Sequence, residues 1–258
     1  MKPHINKLSV VKKIPSAPLK TAALYKEIFE AFIEDYSARG FIKNSEHKAV
    51  IISSVVPVIT PIIVEALQDL GAEKPLVVSH RVTGGLTLNL RRKKTIGADR
   101  ISNAVAGYFL FNQAVAVVDC GTATTLTVVG KNADILGGAI MPGIGLMQKA
   151  LFKGTAKLPD IAVKTPKGFL GRDTESAITT GIIHGTAGAV ENIIQGIEGE
   201  IACELKIILT GGFAKILSPI LKLNHILRPN LIFEGMRLIY LQTKGLKLFN
   251  KTASYQDA

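Results

Sequence analysis

The chain has 258 residues, 47% of them hydrophobic and 20% charged, and a net charge of +11. That length suits one large domain or two modest ones, and the composition is that of a globular chain rather than a disordered or fibrous one. Two distant cysteines, Cys120 and Cys203, and five scattered histidines, His4, His47, His80, His184 and His225, exclude a disulfide framework and any metal site built on thiolate or imidazole.

Residues 1 to 20 are basic but lack the apolar core of a signal peptide. Residues 20 to 38 place Tyr25, Ile28, Phe29, Phe32, Ile33 and Tyr36 on one helical face, which Gly40 ends. The stretch AVIISSVVPVITPIIVEAL, 49 to 67, has an uncharged part too short for the roughly 20 residues of a membrane span. It reads instead as a strand over 49 to 56 followed by a helix, with Thr60 as N-cap, Pro61 as first helical residue and Gly71 as stop. A soluble, cytoplasmic protein with no membrane partner is expected. A second strand falls at 75 to 80. The cluster RRKK at 91 to 94 is the tightest run of positive charge. No interleaved aromatics or recognisable module accompany it, so a solvated basic surface is expected and a nucleic-acid partner is not.

IGADRISNAVAGYFLF, 96 to 111, reads as a helix entered at Asp99. Strands follow at about 114 to 119 and 124 to 130, then a Gly/Pro turn at GGAIMPGIG, 137 to 145. A long helix begins near Asp173. Within it Gly181, Gly185 and Gly188 strip one face of side chains, and a close packing partner is the expected reason. KIILTGG, 206 to 212, is a strand running into a glycine turn. Such alternation means an α/β fold, and no flexible linker divides it.

Two stretches carry candidate chemistry. In VVDCGTATTLTVVG, 117 to 130, an apolar strand ends in Asp119 and returns through glycine and hydroxyls. A carboxylate there needs compensation. As a hairpin tip, Gly121 would let the backbone approach a phosphate, Thr122, Thr124 and Thr125 would donate to it, and Asp119 would hold a cation. The alternative is a hairpin whose Asp and Thr residues satisfy their own turn. In IGADRISN, Asp99 is either an N-cap or a general base aimed at a substrate hydroxyl, with Arg100 holding an anion.

Taken together with LGGAIMPGIGLMQKALFKGTAKLP at 136 to 159, GRDTESAITTGIIHG at 171 to 185 and TGG at 210 to 212, these stretches resemble type III pantothenate kinases. The resemblance runs from about residue 20 to 240 and includes SSVVP at 53 to 57 and LIFEGM at 231 to 236. It implies an actin-like (ASKHA) fold of the sugar-kinase and heat-shock ATPase type. Two ribonuclease-H-like domains, 1 to 112 and 113 to 258, would then hold the nucleotide in the cleft between them. It further implies a homodimer that phosphorylates pantothenate with ATP, Mg²⁺ and a monovalent cation, K⁺ or NH₄⁺. Asp99 matches the family's proton acceptor, and Gly97, Ala98, Asp99 and Arg100 its pantothenate-contacting segment. Asp119 matches the monovalent-cation ligand, Gly121 and Thr122 the ATP-binding loop, and Thr174 a second substrate position. Thr210, Gly211 and Gly212 sit where related folds approach the nucleotide.

Two departures stand out. The family opens with a strand ending in D-x-G-N-T, whereas this sequence has no Asp before Asp35 and no glycine before Gly40. The first domain is therefore expected to lack its opening hairpin. Three readings follow: a pantothenate kinase whose true start lies upstream, a catalytically impaired paralogue acting as a binding or regulatory protein, and, last, a nucleic-acid-binding regulator. Turnover by this chain is expected to be weak or absent. Leu90 also stands where the family tends to carry a substrate-contacting Tyr, beside Arg91 to Lys94.

Overall fold

The computed structural model describes residues 20–38 and 49–246. The basic start and the expected stop at Gly40 lie outside them. Helix α1 (Ala22–Ala38) buries Tyr25 and packs it on Phe29, ring centroids 6.1 Å apart. Both join Ile59 and Ala66 of α2 (Ile59–Asp69) in a small cluster. The side chain of Tyr36 is outside the described set.

The expected strand at 49 to 56 narrows to β1 (Ile51–Ile52), paired in parallel with β2 (Leu76–Val77). Ser53 to Pro57 leave the sheet because their polar groups serve the next helix: the Thr60 hydroxyl donates to Ser54 Oγ at 2.7 Å and to the Val56 carbonyl at 3.1 Å. Helix α2 therefore starts earlier than expected, with Val58 rather than Thr60 at the cap. Gly71 ends it as expected, at φ +75°.

After β3 (Thr87–Leu88) come α3 (Ala98–Phe111), β4 (Val115–Cys120), β5 (Ala123–Val129) and β6 (Asp134–Pro142). The expected Gly/Pro turn at 137 to 145 is thus mostly strand. Glycines there permit positive φ and close backbone contact rather than a reversal: a Cβ on Gly138 would strike the Leu126 carbonyl. The chain continues through α4 (Ile144–Gly154), α5 (Thr174–Ile201), β7 (Lys206–Thr210), α6 (Ala214–Leu217), β8 (His225–Leu227) and α7 (Leu231–Thr243). The start of α5 is where the sequence puts it. Asp173 accepts from the Ser176 amide at 2.8 Å, and the Ser176 hydroxyl takes the Asp173 N–H, a reciprocal cap.

The sheet order is β3-β6-β5-β4-β7-β8, with β4, β5 and β6 antiparallel and β7 and β8 parallel to β4. Successive side chains of β4 go to opposite faces. Ala116, Val118 and Cys120 pack with Ile178, Ile182, Ile183 and Val190 of α5. Val115 and Val117 pack with α3 and with Leu231 and Ile239 of α7. Each such side chain, once buried, contributes roughly 1.5–3 kcal/mol. This second core crosses residue 112 without a break. Helices α3 and α7 approach so closely that a Cβ on Gly235 would strike the Ser102 carbonyl.

The glycine face of α5 has no such neighbour among the described residues. A Cβ on Gly181, Gly185 or Gly188 would meet nothing within 4 Å there, so packing against another described element does not explain them. The two kinds of glycine should respond oppositely. Gly235→Ala is expected to lower stability by about 1–3 kcal/mol through overpacking. Gly181→Ala should raise it by about 0.5–1 kcal/mol through helix propensity. Urea unfolding of both variants beside the native chain measures the two signs.

Candidate active site

The alternation along β4 answers why an acid ends an apolar run. Asp119 continues the row of Val115 and Val117, so its side chain points to the α3 face at the sheet's edge of strand ends, where packing gives way to partial exposure. There Asn103 of α3 donates its Nδ2 to Asp119 Oδ2 at 2.9 Å. Asn103 lies four residues after Asp99, one helical turn along the same face. Asp99 is near enough to act on Asp119 electrostatically. The two carboxylates therefore share one environment. Burial pushes the Asp119 carboxyl above its ordinary value, the Asn103 hydrogen bond opposes that, and the charge of Asp99 adds to it.

Asp99 is not the helix cap. Gly97 holds that position in extended conformation, and Asp99 turns its Oδ1 to the Arg100 amide at 2.8 Å. A Cβ on Gly97 would strike that same oxygen and crowd Val55 at 3.3 Å. The glycine is what lets the carboxylate lie where it does, half-buried, with Oδ1 on a first-turn amide of α3. Arg100 points back to the sheet. Its Nε donates to the Thr127 hydroxyl at 2.9 Å, and Nη2 reaches the Leu126 and Gly137 carbonyls at 3.4 and 3.5 Å. Burial lowers its pKa from the ordinary value, with Asp99 working against that shift.

Between β4 and β5 the chain reverses through Gly121 and Thr122, the hairpin expected from the sequence, with the Gly121 N–H donating to the Ala123 carbonyl at 3.1 Å. Thr122 is exposed at the tip and Thr125 is half-buried opposite Asp119. Thr124 differs from expectation. It lies on the other face of the strand, fully buried, with its hydroxyl unpartnered, and so cannot meet a phosphate on the Asp119 side. Cys120 faces the same interior. Burial, with the Asp119 charge adding, pushes its thiol up to about 12, so it stays a thiol and supplies no nucleophile.

Two neighbouring loops complete the rim. Gly143, before α4, donates to the Thr122 carbonyl at 3.1 Å, and a Cβ there would strike the Gly121 and Thr122 carbonyls. Thr210 pairs with Asp119, and Gly211, at φ +94°, lies so close that a Cβ would strike Asp119 Oδ1. The next glycine, Gly212, has open space around its α-carbon. The structure thus gathers Gly97, Ala98, Asp99, Arg100, Asp119, Gly121, Thr122 and the 210–212 loop around one rim. Thr174, the first residue of α5, is exposed, and no contact ties it to that group among the described residues. Leu90 packs against the α3 core, and Arg91 to Lys94 are exposed.

Asn103 and Thr127 are the residues that sequence reading missed. An asparagine inside an otherwise apolar helix, one turn from a candidate base, was the available signal for the first. No signal marked Thr127, whose role depends on the sheet's twist bringing β5 beneath Arg100.

A family model of type III pantothenate kinases matches residues 4–196. A type III pantothenate kinase from Moorella thermoacetica is 36% identical over 195 residues, covering 76% of this chain and 77% of that protein. Among solved structures, one described as a conserved Baf family transcriptional activator from Campylobacter jejuni has a TM-score of 0.57 at 20% identity. It covers 84% of this chain and 89% of its own, a likeness that speaks for the fold alone. The ethanolamine utilization protein EutJ from Carboxydothermus hydrogenoformans aligns over 85% of this chain and 74% of its own, with a TM-score of 0.48 and 17% identity. The motif order and the extent of the sequence match agree: the chain belongs to the type III pantothenate kinase family.

Proposed function

We propose that the chain phosphorylates pantothenate to 4'-phosphopantothenate with ATP, the first step of coenzyme A synthesis, at the rim that α3 and the β4–β5 hairpin share. The observation that carries this reading is the hydrogen bond from Asn103 to Asp119, which ties the hairpin's acid to α3 one helical turn from Asp99. Asp99 accepts the proton of the primary hydroxyl as that oxygen attacks the γ-phosphoryl group in line. Such transfer depends on positioning and on neutralising charge. Arg100, fixed to the sheet through Nε and Nη2, orients the pantothenate carboxylate with its remaining donors, and Gly97 and Ala98 line the approach. Gly121 lets the phosphates come close, and Thr122 and Gly212 donate to them.

Asp119 suits a monovalent cation. Its carboxylate is held in place, and a buried, unpartnered Asn103 Oδ1 lies on the amide that holds it. Among the described residues no three acidic, His or Cys side chains gather into a metal cage. Mg²⁺ therefore fits as cargo of the nucleotide phosphates, where it neutralises charge on the transferring group.

Two lobes, 1–112 and 113–258, share the core between α3 and α7 in this reading, and the nucleotide lies beside it, at the rim of α3 and the β4–β5 hairpin. Thr174 is assigned a second pantothenate contact, and the protein a cytoplasmic homodimer. No helix among the described residues is long and apolar enough to cross a membrane. A second reading is a pantothenate-kinase-like chain that binds without turning over.

Coupled measurement of ADP release with pantothenate tests the first reading. Binding of both substrates without transfer supports the second. In any active form, Asp99→Asn should reduce transfer at least about 100-fold while ATP binding, followed by calorimetry, changes less than about twofold. Unchanged turnover would remove Asp99 from the role of base.

Asp119 has a stability consequence of known sign. Its folded pKa is raised, so its contribution favours folding below the unfolded value and is lost as pH rises through the folded one. Asp119→Asn should therefore raise the thermal midpoint of the ligand-free chain at pH 7 by about 2–4 °C. The gain should vanish near pH 4, and nucleotide affinity should fall.

A further inference from the structure

Asn103 sits in the interior of α3 at 3% exposure, beside the buried Ile101, Ala104, Val105 and Ala106. Asparagine is a weak helix former, and a buried amide is tolerated only when its donors and acceptor are used. Here the use is one-sided. Nδ2 donates to Asp119 Oδ2 at 2.9 Å, while Oδ1 is buried with no partner among the described residues. Reversing the amide would set two acceptors face to face, so an ionised Asp119 demands this orientation. An unmet buried acceptor of this kind destabilises the fold. It is also not placed at random: it belongs to the group that grips Asp119, one turn from Asp99.

Whatever meets that oxygen enters a space already short of positive charge. A cation there offsets the Asp119 carboxylate and the amide oxygen together. One carboxylate and one neutral oxygen, with no third acidic ligand gathered among the described residues, suit a weakly charged ion better than a divalent one, which draws several carboxylates or keeps its water.

We propose that Asn103 is a positioning residue of the cation site: its Nδ2 fixes Asp119, and its Oδ1 gives the monovalent cation a neutral oxygen ligand. This rests on the reading of Asp119 as the cation ligand. It ties the ion to the helix that carries the proton acceptor, so that occupancy of one site steadies the geometry of the other.

The test uses the full chain and needs no turnover. Thermal midpoints are followed as KCl replaces choline chloride at constant ionic strength. The native midpoint should rise saturably with K⁺. Asn103→Leu, which keeps volume but removes both polar atoms, should lose that K⁺-specific rise or need at least tenfold more K⁺ for half of it. Asn103→Ala removes the same polar atoms in a smaller side chain of high helix propensity and should lose the K⁺-specific rise likewise. In an active form the Leu variant should recover most of kcat at saturating K⁺, a shift in the K⁺ requirement rather than in the chemical step. A purely structural or water-satisfied Asn103 would lower the midpoint equally in both salts and leave half-saturation unchanged. Half-saturation within twofold of native in the Leu variant overturns the proposal. If that variant does not fold, the same result in the Ala variant does. A native chain that responds equally to K⁺ and choline overturns the cation reading of Asp119 itself, and this proposal with it.

Discussion

The hydrogen bond from Asn103 to Asp119 joins the two halves of the site, because it is where a helix and a strand agree on the position of a charge. Strand β4 delivers Asp119 to the α3 face by simple alternation, and α3 delivers Asn103 by helical spacing from Asp99. Neither element could keep a partly buried carboxylate alone. Removing both hydrogen-bonding partners from water is tolerable when each finds the other, and much less so when one is left behind. The arrangement therefore depends on the register of α3 over the sheet. That register is set by the row Ile101, Ala104, Val105 against Val115 and Val117, and by the backbone contact of Gly235 with Ser102.

Glycine does a different job at each place around the rim. At Gly97 its missing side chain makes room for the Asp99 carboxylate, at Gly143 for the hairpin carbonyls, and at Gly211 for Asp119 itself. Three chain segments distant in sequence can thus converge on one small volume. Their shared property is close approach of backbone to a polar group, which a phosphate-handling site needs and a hydrocarbon core does not.

Much of this was legible beforehand. The β4–β5 hairpin, the start of α5 at Asp173 and the β7 glycine turn announce themselves through apolar runs bounded by small or polar residues. The pairing of Asp99 with Asp119 was expected from the family resemblance, since nothing in either stretch alone places α3 beside β4. Errors came where local chemistry competes with longer-range pairing. Glycines 137 and 138 look like a turn, yet pairing with β5 holds that segment extended. Asp99 looks like a cap because acids favour that position, but the preceding glycine lets it fold back on its own turn. Thr60 likewise surrenders the cap to a residue with no side-chain bond, because its hydroxyl is already taken by the SSVVP loop. Thr124 misled because strand parity cannot be fixed until one neighbour's face is known.

Parity has a further meaning for how this chain can change. Because Asp119 and Cys120 are adjacent and point to opposite sides, losing or gaining one residue within β4 would exchange them. The thiol would then face α3 and the acid would be driven among the isoleucines of α5. Length variation among relatives should accordingly collect in the connections around this strand and spare the strand itself, leaving its six positions a fixed ruler against which the rest of the sequence can drift.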